Sequence, residues 1–209
     1  VVLSRGLGDV YKRQELGFPP AMVMVAKYMG RGEYLEKDAE GAWLLLIKTL
    51  KTDHAAAKIS AALEFLPGGV GPENPKRTKK VLQGLINEGN SAAMISYAMK
   101  VLDLQKAEIG SDNSKKGITL LERAALEEKD SQAAIYLSLL FNQGNVVPRD
   151  QKKAITFAQL AIDAGVIRAY GTMGQIFQNQ NDMESAVQWF QKGADKGDGF
   201  SQGMLGFMY

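Results

Sequence analysis

Of the residue types that most often carry catalysis or hold metals, the chain has a single histidine, His54, and no cysteine. A metal centre or an activated nucleophile needs converging ligands or a base beside the nucleophile, and His54 has neither a second histidine nor a thiol to work with. Its place near the end of a helix predicts a solvated or capping role. Adjacent carboxylates at Glu127 and Glu128 lack any context that would set one as acid and the other as base, so no general acid or base is assigned. Residues 67–74, Pro-Gly-Gly-Val-Gly-Pro-Glu-Asn, invite a phosphate-loop reading, but they follow a helix and lack the Gly-Lys-Ser/Thr ending. They align with 31–38 and 143–150, which makes them an interhelix turn. Trp43 and Trp189 could wall a ligand pocket; their helical register instead predicts core packing.

Basic residues cluster at three places: Lys76, Arg77, Lys79 and Lys80; Lys115 and Lys116; Arg149, Lys152 and Lys153. They read as a solvated face, because the formal charge of the whole chain is only +2. Residues 1–14 are expected to be foreign. Ser4 to Gln14 resemble the translation of a transposase-type sequencing adapter, so native sequence is expected to begin at Glu15. Without Arg5, Lys12, Arg13 and Asp9 the remainder is formally neutral, which offers no electrostatic footprint for nucleic acid or acidic lipid. The longest apolar run, residues 42–47, ends at Lys48 and is far short of the roughly 20 residues a membrane span requires.

What positions these residues is an internal repeat. Ala21, Ala57, Ala93, Ala133, Ala169 and Ser201 open successive apolar stretches at spacings of 36, 36, 40, 36 and 32. Four residues on stand Val25, Ala61, Tyr97, Leu137, Met173 and Leu205; eight on, Met29, Phe65, Val101, Phe141, Phe177 and Tyr209. At the fifth position come Ala26, Ala62, Ala98, Ser138, Gly174 and Gly206, small enough for a neighbouring helix to approach closely. A second helix follows each of the first five, with Asp38, Asn74, Ser114, Asp150 and Asp182 as N-caps whose oxygens accept from free backbone N–H groups. Apolar residues then recur at helical spacing: Ala42, Thr78, Ile118, Ala154 and Ala186 at the fourth position, and Leu45, Val81, Leu121, Phe157 and Trp189 at the seventh. Gly89, Gly165 and Gly197 close three of these helices, and Gly17 holds the same place before Ala21. The helix that should precede Gly17 is expected to be missing, and the run to Tyr209 reads as five full pairs and part of a sixth, cut from something longer.

The stretch Ala186-Val187-Gln188-Trp189-Phe190-Gln191-Lys192-Gly193-Ala194-Asp195-Lys196-Gly197, followed by Leu205-Gly206, resembles the Sel-1-like repeat, a relative of the tetratricopeptide repeat. The resemblance covers 15–209. It implies an all-α fold, an α-solenoid wound as a right-handed superhelix of stacked antiparallel helix pairs over one repeat domain, 15–209. It further implies a non-catalytic scaffold or adaptor, in bacteria often tied to envelope, secretion or signalling complexes, that binds a partner peptide or helix along the concave face of its first helices. By the same analogy Lys27, Arg31, Asn142, Gln143, Gln175, Gln178 and Asn179 are the candidate partner-binding residues. No cofactor, metal, nucleic acid or membrane insertion is expected, and self-association is expected through the C-terminal end. The alternative is a targeting or regulatory arm of an enzyme whose catalytic domain lies outside this sequence.

Overall fold

A computed structural model of the chain describes residues 5–208, with only the backbone at positions 5 and 7. Among the described residues there are twelve α-helices and no strand. The chain forms two compact units, Val1–Val101 and Leu102–Tyr209. Tyr209, expected at the apolar eighth position of the sixth repeat, and Ser4, where the adapter-like stretch opens, lie outside the described residues.

The first unit holds α1 (Arg5–Glu15), α2 (Pro19–Arg31), α3 (Ala39–Leu50), α4 (Ala55–Leu63), α5 (Pro75–Asn87) and α6 (Ser91–Ser96). Each first helix packs on its own second helix and on the next first helix: α2 against α3 and α4, α4 against α5 and α6. The expected gap before Gly17 is filled. Residues Arg5–Glu15 are helical and pack against α2, while Gly17 takes the left-handed turn (φ 77°) that joins them. Helix α6 continues into one π-helical turn, Tyr97–Val101.

The second unit begins with a 3-10 turn, Leu104–Lys106, and continues through α7 (Asp112–Leu126), α8 (Ser131–Gln143), α9 (Gln151–Asp163), α10 (Arg168–Gln178), α11 (Met183–Asp195) and α12 (Gly199–Met208). Here α8 packs against α9 and α10, and α10 against α11 and α12. All six anchor residues, Ala21, Ala57, Ala93, Ala133, Ala169 and Ser201, are buried to 6% exposure or less. So are the small fifth-position residues Ala26, Ala62, Ala98 and Ser138, each at 0%, and the Gly89, Gly165 and Gly197 turns have positive φ as expected.

Three details of register differ from the sequence reading. The cap of α7 is Ser111, whose hydroxyl accepts from the Ser114 N–H at 3.2 Å. Ser114 lies one turn inside the helix, buried, and donates its hydroxyl to the Val146 carbonyl at 2.7 Å. Besides the fourth position, the eighth after the cap is fully buried in most second helices, with Leu46, Leu82, Ala158 and Phe190 all at 0% exposure, whereas at the seventh only Leu121 and Phe157 are buried. At the seventh, Leu45, Val81 and Trp189 are only half-buried. Trp43 is not core at all: it is among the exposed apolar side chains. Trp189 meets the Lys192 ammonium 4.1 Å above its ring. A helix turns 100° per residue, so neighbouring positions flank one seam and pattern alone does not say which lies deeper.

Candidate functional site

The first-helix surface of the first unit carries a groove of about 250 Å³ lined by Pro20, Val23, Met24 and Lys27 of α2 and by Ala56, Ala57 and Ser60 of α4. It exists because the first two turns of α2, residues 19–26, are apolar on every side. Ala21, Met22, Val23, Val25 and Ala26 are buried, on a helix that packs against α1, α3 and α4, while Met24 remains 43% exposed. A helix of that composition is expected to be covered on every side, and Met24 sits on the side still open. Ala56 is exposed and Ser60 half-buried, so the opposite wall is shallow and small.

One end of the groove is fixed by a buried carboxylate. Glu64, at 7% exposure, receives the Lys27 ammonium on Oε1 at 3.0 Å and the Val70 N–H on Oε2 at 3.1 Å. This ties α2 and the end of α4 to the 67–74 segment, which is a turn as expected and closes with the Asn74 N–H donating to the Phe65 carbonyl at 2.7 Å. Lys27 therefore offers the groove its aliphatic stem more than a free charge. Glu64 was not singled out from sequence; a lone acidic residue at the end of an alanine-rich helix carries no pattern.

The candidate binding residues fall into two sets. Lys27 lines the groove, and Arg31 lies exposed one turn further along α2. In the second unit Gln143 is exposed at the end of α8, Gln175 and Gln178 are half-buried on α10, and Asn179 is exposed with its carbonyl accepting from Arg149 Nη2 at 3.0 Å. Asn142 departs from expectation: it is buried at 4% exposure, and its Oδ1 has no hydrogen-bond partner. Asn142, nine residues past the anchor Ala133, turns inward, ahead of a turn whose Val146 and Val147 are themselves buried. Pro20, Met24, Ala56 and Ser60 were not among the residues that the tetratricopeptide analogy selected. The unbroken apolar run 21–26 was the signal that pointed to them.

His54 is the N-cap of α4, its Nδ1 accepting from the Ala57 N–H at 3.2 Å. Asn90 and Asp130 do the same for α6 and α8. A solvated or capping role was expected for His54, but Asn90 and Asp130 were not read as caps three residues before their anchors. Among the described residues no three His, Cys, Asp or Glu side chains are placed to hold a metal ion, and no helix is long and apolar enough to cross a membrane.

A second groove, about 620 Å³, lies between second helices α7 and α9 of the second unit. Leu126, Ile155, Phe157 and Leu160 form its apolar part, and Glu122, Lys153 and Asp163 stand among its polar residues.

The sequence model of the Sel1 repeat matches residues 19–49 and 131–166, and that of a tetratricopeptide repeat matches 167–195. Among solved structures, a Sel1 repeat protein from Oxalobacter formigenes superposes with a TM-score of 0.62 at 17% identity, covering 98% of this chain and 59% of the other. The protein c5321, a protective antigen present in uropathogenic Escherichia coli strains that displays an SLR fold, gives 0.60 at 18% identity, over 97% of this chain and 44% of its own. MamA protein gives 0.51 at 20% identity, over 85% and 92%. This chain thus spans 59% and 44% of the lengths of the first two, and at these identities the likeness is one of fold. No curated protein matches the chain in sequence. The chain thus has segments that match the Sel1 repeat and the tetratricopeptide repeat, on an all-helical fold that it shares with these proteins.

Proposed function

We propose that the chain is a non-catalytic interaction scaffold whose first unit holds a partner protein's peptide or helix in the groove between α2 and α4. The observation that carries this is Met24, 43% exposed on a helix whose other apolar faces are buried, beside a groove whose lining is mostly apolar or small. A cavity of about 250 Å³ accommodates one or two apolar side chains. A helix-in-groove or extended segment with a spaced apolar anchor is the ligand such a surface takes. Sel1 and tetratricopeptide repeat proteins generally act as protein-interaction scaffolds, which supports the class of function. Lys27 is proposed to pack its stem against the partner's anchor from the groove wall, Arg31 beyond the groove to meet the partner's polar flank, and Gln143, Gln175, Gln178 and Asn179 to form a polar contact surface in the second unit. A second copy of the chain is proposed to dock on α12, where Phe207 is 86% and Phe200 42% exposed.

Selection of random peptides of about twelve residues against the full chain tests the groove. Selected peptides are expected to share an apolar anchor and to lose binding to Met24→Glu and Ala56→Glu, both surface changes. Peptides that bind these variants as well as the parent would refute the assignment.

A further inference from the structure

The solvent side of α5 is chemically unlike the rest of the first unit. Lys76, Lys79, Lys80, Gln83 and Asn87 are all exposed, and their spacing of three, four, seven and eleven from Lys76 lays them down one stripe of the helix. Arg77 beside them lies over the Phe65 ring, 5.1 Å from its centroid. No carboxylate among the described residues pairs with Lys76, Lys79 or Lys80. The helix has no acidic residue in its first turn; Lys76 and Arg77 stand there instead, at the end where the macrodipole disfavours cations. Lys76 is also three and four residues from Lys79 and Lys80, the spacing at which like charges repel on a helix. Within the folded chain the arrangement costs stability, and no ion pair offsets it.

We propose that this stripe docks an acidic segment of a partner protein. Its carboxylates pair with Lys76, Lys79 and Lys80, and its backbone reaches the carboxamides of Gln83 and Asn87, which lie together with Gln83 Nε2 3.4 Å from Asn87 Oδ1. The stripe suits a protein segment better than the other polyanions. It holds no aromatic side chain on which a base would stack. It has no apolar residue to enter a bilayer interface. Carboxamides that both donate and accept match a peptide backbone, where a sugar-phosphate chain offers mostly acceptors. The surface is separate from the groove lined by α2 and α4, so it stands or falls independently of the function proposed above.

The test uses the full 209-residue chain and a fluorescently labelled oligoglutamate peptide, followed by anisotropy at low and physiological salt. Replacing Lys76→Gln, Lys79→Gln and Lys80→Gln together is expected to weaken binding about tenfold, since three exposed ion pairs are lost. Lys115→Gln with Lys116→Gln, the same chemistry on α7, is expected to leave it unchanged. Circular dichroism establishes that both variants keep the helical content of the parent. Equal binding by the parent and the triple variant overturns the proposal. So does tighter, lysine-76/79/80-dependent binding of a single-stranded oligonucleotide or of phosphatidylserine vesicles, which would give the surface to nucleic acid or membrane instead.

Discussion

The hydroxyl of Thr78 on α5 donates to the carbonyl of Ala62 on α4 at 2.6 Å, and in the second unit Ser138 on α8 donates to the carbonyl of Ala154 on α9 at 2.9 Å, with donor and acceptor positions exchanged. Both pairs are 16 residues apart and fully buried. They join the small fifth residue of a first helix to the fourth residue after the cap of its second. Each bond is expected to contribute about 1 kcal/mol. Thr78→Val and Ser138→Ala should each lower the unfolding free energy by about that much in urea titrations, and a variant as stable as the parent would show the bond to be idle.

Close approach is set differently in the fifth pair. A Cβ on Gly174 would stand 2.5 Å from the Phe190 ring, and Phe190 is at 0% exposure. Gly174→Ala is therefore expected to cost about 1–3 kcal/mol by overpacking, despite alanine's advantage in a helix. Gly84, exposed on α5 with nothing within 4 Å of its Cβ position, is the control. Gly84→Ala should raise stability by up to about 1 kcal/mol. If the two changes move the melting temperature in the same direction, the packing account of Gly174 fails.

Asp182 caps α11 by accepting from the Ser185 N–H at 3.1 Å. Hydrogen bonds from the Ser185 side chain and then its backbone hold the carboxyl below the ordinary aspartate value of 3.8. Because the folded value is the lower one, the unfolded chain takes up the proton first. The cap's contribution is complete above the ordinary aspartate range and is lost as pH falls through the lowered value. Urea midpoints measured at about pH 5 and about pH 2.5 should differ less for Asp182→Asn than for the parent. An unchanged difference would remove Asp182 from the acid response.

The face of α12 gives a prediction about assembly. With Phe207 86% exposed and Phe200 42% exposed, light scattering at rising protein concentration should show the parent chain associating. Phe207→Ser should shift that onset to higher concentration. A parent that stays monomeric throughout contradicts docking of a second copy on this helix.

The repeat was legible because its signals are local and recur: anchors, the first five small fifth residues, caps at Asp38, Asn74, Asp150 and Asp182, and closing glycines stand where spacing put them, while the sixth small residue, Gly206, is exposed. The cap at Ser114 was misplaced because the lengthened turn before it supplies a second capping residue, Ser111, three positions earlier, and the helix simply starts sooner. Ser114 then spends its hydroxyl on Val146, 32 residues away, a contact no local pattern announces. The π-helical turn at Tyr97–Val101 was equally silent. Of the candidate binding residues, Lys27 lines the groove between α2 and α4, whereas Asn142, selected as a polar residue, is buried. Polarity alone does not report which way a residue faces at the end of a helix. The helix before Gly17 was expected to be missing, yet Arg5–Glu15 fold as a helix against α2. Two glycines without neighbours, Gly6 and Gly8, lower helix propensity without preventing a helix that has a partner to pack on.

The claim on which the rest depends is that the first helices of the first unit form the binding surface. Hydrogen–deuterium exchange of the full chain, with and without a peptide selected against it, tests this most directly. Slowed exchange is expected within Pro19–Arg31 and Ala55–Leu63, and it should be abolished by Met24→Glu. Protection confined to other helices, or protection that survives Met24→Glu, would contradict it.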